Sequence, residues 1–310
     1  MSETYLVTGG AGFIGSHTAR RLLDAGNEVV VADSLLTGDR DNVPEGATFV
    51  EMDLADESLY SKLDGVKPKA IIHLAGQSSG EISFESPSKD LDINTRATIL
   101  LGEWARKQGC NRILFSSSVS VYGDGKAPGA AMSEEDDPSP KSFYGCSKLA
   151  SEHYLKVFQS EYGINGTSFR LFNVYGPGQN MKNMKQGMVS IYLSFVLFQE
   201  SLLVKGAMDR YRDLVYVSDV VDILVGSIDD ERSFGGVFNV GTGRKTTVGE
   251  LVQRILEATG KPDFPVEEGE GTPGDSFGSL ADVSHVKDAL GWEAEVSLDR
   301  GLQEMVAACR

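Results

Sequence analysis

Two hydrophobic periods alternate along the first 172 residues. Short stretches dominated by apolar positions fall at 5–7, Glu28–Asp33, 48–52, 70–74, 112–116 and 166–171. Between them lie stretches in which apolar residues recur every three to four positions, at 12–25, 90–108 and 144–162. In the first of these, Ile14, Thr18 and Leu22, with Ala19 and Leu23, share one helical face. Fully apolar strands separated by helices predict a parallel sheet covered on both faces. Such chains form doubly wound α/β sheets, with ligands at the carboxyl ends of the strands.

Past residue 173 the pattern is mixed. A Gly/Asn/Met-rich loop at 175–187 precedes a helix at 188–200 and a short strand at 202–204. Further strands are expected at 214–217 and Val237–Val240, with a helix at 219–228 between them. A helix at 247–259 opens on Thr247 with Glu250 three residues on, the capping-box spacing. Helical patterns at 282–290 and Leu298–Ala308 complete the chain. The reading is a nucleotide-binding domain over 1–172 and a smaller mixed α/β substrate domain over 173–310, with segments that return to the first. The breaker-rich stretch 123–142 carries the acidic run 134–137, expected to be a solvated loop face.

Charge narrows the function. Twenty-nine basic residues against 45 acidic ones give a net charge of −16. So acidic a chain repels phosphate backbones and anionic lipid, so neither nucleic acid nor a membrane is an expected partner. The most apolar stretch, 191–198, is far short of the roughly 20 residues that span a bilayer. The chain enters a strand pattern at once, without a basic segment and long apolar run, so no secretory signal is expected. Cys110, Cys146 and Cys309 are too few and scattered for a disulfide framework or a metal site, which points to the cytoplasm and to no bound metal.

The chemistry sits in two motifs. Thr8–Ser16 reads T-G-G-A-G-F-I-G-S between a strand and a helix, with Gly9, Gly12 and Gly15 spaced G-x-x-G-x-x-G. Glycines here let backbone N–H groups approach a pyrophosphate at a helix N-terminus. Asp33 ends the next strand 18 residues after Gly15, where a carboxylate accepts bonds from the adenosine ribose. That acid repels a 2′-phosphate and predicts NAD over NADP, and Arg40 is read as a surface residue. The second motif, Y-G-C-S-K, puts Tyr144 and Lys148 one helical turn apart. A neighbouring ammonium, together with the positive nicotinamide ring of the oxidised cofactor, is expected to lower the tyrosine from its ordinary value near 10 toward a working base. Upstream, F-S-S-S-V-S-V-Y-G ends a strand 26 residues before Tyr144, and Ser118 is placed to bond the hydroxyl that Tyr144 deprotonates. His73, in an apolar strand, is read as structural.

Together with Asp53-Leu54, H-L-A-G-Q from His73, Asn94, R-L-F-N-V-Y-G-P-G-Q from Arg170 and R-D-L-V-Y-V-S-D-V from Arg212, these motifs resemble the extended short-chain dehydrogenases/reductases. Within that superfamily the likeness is to the NAD-dependent nucleotide-sugar epimerase/dehydratase family and runs through nearly the whole chain. It implies a Rossmann-type sheet and a nucleotide-diphosphate sugar as substrate. By the resemblance, Asp53 and Leu54 hold the adenine, Leu74, Ala75 and Gly76 line the cofactor path, and Asn94 lies on its ribose side. Phe13, Ile14, Ser34, Gly38, Gln77 and Phe172 belong to the same cofactor set, and Lys148 also holds the nicotinamide ribose. Asn173 and Arg212 hold the substrate diphosphate, with Ser78, Met188, Lys205, Asp275 and Ser279 around the nucleotide sugar.

Family members start alike, Tyr144 taking the O4 proton as the C4 hydride leaves. Dehydratases and decarboxylases place acids directly after the catalytic serine or threonine. Here those positions hold Val119 and Ser120. The expected reaction is therefore 4-epimerisation of a UDP-hexose, with another nucleotide-sugar modification (2-epimerisation or, disfavoured by those positions, dehydration) as the alternative enzyme and a non-catalytic NAD(P)-binding regulatory module as the alternative class. Family epimerases carry R-x-G-D where this chain reads T-P-G-D at 272–275, so the diphosphate-clamping arginine is absent, and Lys182, Lys185 or Lys205 are candidates to replace it. The position after G-D that gates the sugar C2 substituent is Ser279, small enough to admit an N-acetyl group. Surplus apolar residues on the helices at 90–108 (Ile93, Ile99, Leu100, Leu101, Trp104) and 144–162 (Leu149, Tyr154, Leu155, Val157, Phe158) imply a family-like homodimer.

Overall fold

Strand residues alternate between two cores. In Thr4–Thr8, Tyr5 and Val7 face one side of the sheet and Leu6 the other, and Val29 and Val31 against Val30 and Ala32 repeat this in Glu28–Asp33. The computed structural model describes residues 2–125, 129–184, 187–271 and 276–309. Seven parallel strands form one sheet in the order Thr48–Glu51, Glu28–Asp33, Thr4–Thr8, Ala70–His73, Arg112–Ser118, Asn165–Leu171, Val237–Val240. The winding reverses between Thr4–Thr8 and Ala70–His73, which opens a crevice at their carboxyl ends.

One face is covered by the helices Phe13–Asp24, Val217–Gly226 and Ser284–Leu290, through Ala19, Leu22, Val220, Ile223, Leu224 and Val286. The other is covered by Ala97–Gln108 and Phe143–Tyr162, through Ala97, Leu101, Trp104, Leu155 and Phe158. A further apolar cluster joins the helices Met188–Phe198, Val248–Thr259 and Leu298–Ala308. The last sheet strand, Val237–Val240, comes from the second half of the chain and pairs with Asn165–Leu171.

Local signals explain several boundaries. Thr247 and Glu250 form the capping box, each side chain accepting the other's backbone N–H. The strand read as 112–116 continues to Ser118, so all three serines sit in the sheet and are buried. The helix read as 90–108 is built of Pro87–Leu91, a π turn at Asp92–Arg96 and Ala97–Gln108. The hydroxyls of Thr98 and Ser151 both donate to the Asn94 carbonyl in this wider turn.

The acidic run 134–137 departs from the solvated face expected of it. Glu134 accepts the Asn239 backbone N–H at 2.6 Å, and buried Asp136 accepts that of Ser133 at 3.1 Å. Glu134 thus ties the loop to the strand Val237–Val240, while Asp136 closes a turn within the loop. Of the apolar surplus on the two long helices, Leu101, Trp104, Leu155 and Phe158 pack inward, while Tyr154 and Val157 stay exposed. Among the described residues, no helix is long and apolar enough to cross a membrane.

Candidate active site

Backbone builds one end of the crevice. Gly9 has φ +71°, and a Cβ on it would sit 2.6 Å from the Ala75 nitrogen. A Cβ on Gly15 would sit 2.1 Å from the Gly9 carbonyl oxygen, so only glycine lets the helix start touch the turn. The helix Phe13–Asp24 has neither a side-chain cap nor an acid in its first turn. Its leading N–H groups, which a helix leaves without internal partners, therefore meet the cleft uncapped. Such an arrangement can cradle a pyrophosphate. Asp33 stands at the end of the neighbouring strand, its carboxylate accepting the N–H of Ala11 at 3.0 Å and of Leu35 at 2.8 Å. Arg40 stacks on Phe49, 3.9 Å from the ring centroid, and is not among the residues that line the cleft. It leaves Asp33 as the charge that a 2′-phosphate would meet.

The cleft has a volume of 880 Å³, near the upper end for ligand sites. Its walls bring together Gly9, Gly12, Phe13, Ile14, Gly15, Asp33, Ser34, Gly38, Asp53, Leu54, Leu74, Ala75, Gly76 and Phe172 on the expected cofactor side. They include Ser78, Asn173, Met188, Lys205, Arg212 and Ser279 of the expected substrate set. Gln77 and Asn94 do not line it; they are buried behind the wall. Gln77 donates to Asp90 at 2.7 Å, and Asn94 donates to the Gln77 carbonyl at 3.1 Å and to Ser147 at 3.1 Å. Asn94 backs Gly76, where a Cβ would meet its Oδ1 at 2.6 Å. Asp275, with the rest of 272–275, and Lys185 lie outside the described residues. Lys182 is exposed and does not line the cleft.

Ser118, Tyr144 and Lys148 meet on the cleft floor. Ser142 caps the helix Phe143–Tyr162 by accepting the Gly145 N–H at 3.1 Å, which sets Tyr144 in the first turn. Ser118 ends its strand, its hydroxyl favouring the ionised form of Tyr144 and donating to the Ser120 hydroxyl at 3.2 Å. The Lys148 ammonium donates to the Ser116 carbonyl at 2.8 Å and lies 5.9 Å from the Tyr144 ring centroid. Burial pushes Tyr144 up to about 12, against the pull of the Ser118 hydroxyl and with the Asp90 charge adding to the rise. The expected lowering by Lys148 is thus not realised by the protein's own groups, because desolvation of the phenolate outweighs the help it receives. Burial lowers Lys148 to about 8, while Asp90 and Glu152 support its charge.

Several contributors escaped sequence reading. Glu152 is held by Arg170 through bonds of 3.0 and 2.8 Å and by the Ser117 hydroxyl at 2.5 Å, which locks the helix Phe143–Tyr162 to the serine strand. Asp90 is buried with its Oδ2 unpartnered among the described residues. Arg210 lines the cleft two residues before Arg212. His73 is structural: its ring nitrogens bond the hydroxyls of Thr8 at 2.8 Å and Thr98 at 3.0 Å, and burial pulls it down to about 3.

A crevice at the switch point of a parallel sheet, a glycine cradle, a ribose acid and a Ser–Tyr–Lys floor define a nicotinamide-dinucleotide enzyme site. Residues 5–241 match the NAD dependent epimerase/dehydratase family, and the chain belongs to that family. It is 36% identical over 308 residues to a UDP-glucose 4-epimerase of Mycolicibacterium smegmatis, covering 97% of this chain and 96% of that protein. It is 33% identical over 304 residues to UDP-glucuronic acid decarboxylase 6 of Arabidopsis thaliana, covering 97% of this chain and 87% of that one. The solved structure of UDP-glucose 4-epimerase with UDP-glucose from Thermotoga maritima superposes with a TM-score of 0.94 at 37% identity, covering 99% of this chain and 98% of that one.

Proposed function

We propose that this chain is an NAD-dependent 4-epimerase of a UDP-hexose that interconverts UDP-glucose and UDP-galactose. The observation that carries the reading is the floor itself: Ser118, Tyr144 and Lys148 together in the cleft, with Val119 and Ser120 instead of a carboxylate after Ser118. Tyr144 takes the proton from the sugar O4 and returns it. Ser118 bonds the same oxygen and keeps it in line with the phenol. Lys148 remains charged below a pH of about 8 and favours the phenolate. Bound NAD supplies the acceptor and donor of the C4 hydride and, when oxidised, a positive charge beside the phenol. The 4-keto sugar then turns within the cleft while Asn173, Lys205 and Arg212 keep its nucleotide in place. No extra acid or base is required, which separates this route from dehydration and decarboxylation.

In this reading residues 1–172, completed by Val237–Val240, hold the cofactor, and most of 173–310 holds the nucleotide sugar. Ser279 is buried in the cleft and bonds Asn173 at 3.3 Å, while Phe277 is exposed. This register favours a second substrate class, the N-acetylhexosamines. Exposed Leu91, Tyr154, Val157 and Tyr162 on the outer face of the two long helices favour a symmetric homodimer. A monomer mass in light scattering at micromolar concentration would reject it. The unpaired cysteines fit the cytoplasm, which cell fractionation tests.

The function is tested by incubating the protein with UDP-, GDP-, CDP- and dTDP-hexoses and resolving the products. The expected result is interconversion of UDP-glucose and UDP-galactose with no net change in nicotinamide absorbance. Inert UDP-glucose, or a dehydrated, decarboxylated or C2-inverted product, would overturn it.

A further inference from the structure

Three cations from residues 205–212 line the cleft of this strongly acidic chain: Lys205, Arg210 and Arg212. Arg210 and Arg212 are two residues apart, the spacing that puts side chains on one face of extended chain. Tyr211 between them is buried and accepts the Gly129 N–H at 2.9 Å. The Arg210 guanidinium is fixed. Its Nε donates to the Ala207 carbonyl at 3.1 Å, and Nη2 donates to the Lys205 carbonyl. It lies flat on Gly206, where a Cβ would come within 2.8 Å of its Cζ and where φ is +82°. Arg212 is fixed in the same manner, Nη1 donating to the Tyr211 carbonyl at 2.8 Å and Nη2 to that of Ser276 at 3.0 Å. Both guanidinia are thus oriented before any ligand arrives, which lowers the ordering cost of binding.

We propose that Arg210 is a second diphosphate ligand, gripping the substrate's phosphates together with Arg212 and replacing the arginine that this chain lacks at Thr272. The inference rests on the nucleotide-sugar reading above. A planar guanidinium matches two phosphate oxygens, and charge-assisted bonds to it are the strong ones. Lys205 adds a point charge on the same wall. The arrangement selects a diphosphate over a neutral nucleoside, because the cations contribute only where phosphate is present.

The test is calorimetry on the NAD-loaded protein with two probes, UDP and uridine. Arg210→Gln is expected to weaken UDP by roughly 10- to 100-fold, the range for one charge-assisted bond, and to leave uridine affinity and NAD content unchanged. Arg210→Lys keeps the charge without the fork and is expected to fall between the two. Equal UDP affinity in wild type and both variants, or an equal loss for UDP and uridine, overturns the role of Arg210 alone. A wild-type protein that binds NAD but no UDP overturns the nucleotide-sugar reading itself.

Discussion

The two ends of the cleft are made of different material. The proposed cofactor end is backbone: a glycine turn and an uncapped helix start within one strand–turn–helix unit, with Asp33 closing the next strand. The proposed substrate wall is side chain, drawn from the cleft-lining residues Asn173, Met188, Lys205, Arg210, Arg212 and Ser279. A backbone site is hard to retune, since any added atom collides with main chain. A side-chain wall changes one residue at a time, which lets one cofactor frame serve several sugar chemistries.

The largest effect is expected where both ends meet. Tyr144→Phe removes the proton acceptor and keeps the ring, so turnover should fall by about 10² to 10⁴ while NAD stays bound. Near-normal turnover would remove Tyr144 from the chemistry. At the backbone end, Gly15→Val puts atoms into the 2.1 Å gap to the Gly9 carbonyl. Overpacking of roughly 2 kcal/mol corresponds to about 30-fold weaker NAD by calorimetry, and an unchanged affinity would show that the turn yields. On the side-chain wall, Ser279→Tyr fills the space beside the sugar. Turnover of the N-acetyl sugars should drop about tenfold or more relative to the plain hexoses, since steric exclusion outweighs an added hydrogen bond. Equal losses for both classes would show that Ser279 is not the gate.

The smallest effect concerns His73 beneath the glycine turn. Its value is about 3 when folded and about 6.5 unfolded. The unfolded chain therefore binds the extra proton between these values, and the stabilisation present above 6.5 is lost as pH falls. At pH 5 the loss is roughly 2 kcal/mol. His73→Gln should flatten the fall in the urea midpoint between pH 7 and 5 by about one proton's worth. An unchanged slope would mean that His73 accepts a proton in the folded state.

The same contrast governs what could be read in advance. Gly9, Gly15, Asp33, Ser118, Tyr144 and Lys148 lie in short windows whose spacing encodes a turn, a strand end or one helical face, so periodicity exposes them. Arg210 looks like any charge beside R-D; its seat on Gly206, on which its proposed role rests, is visible only in the fold. Gln77 and Asn94 carry motif positions yet sit behind the wall, because the π turn directs Asn94 into the helix packing. Glu134 looked solvated, since its partner, the Asn239 N–H, is 105 residues away. Val237–Val240 had a legible strand pattern, but its neighbour is set by long-range pairing that no local window contains.

The central claim is that C4 of the sugar is oxidised and reduced within one active site. UDP-glucose carrying deuterium at C4 tests it directly when the product is read by NMR and mass spectrometry. The account predicts UDP-galactose that retains the deuterium at C4, because the hydride lost is the hydride regained. Deuterium washed out to solvent, or a product altered at any carbon other than C4, would contradict it.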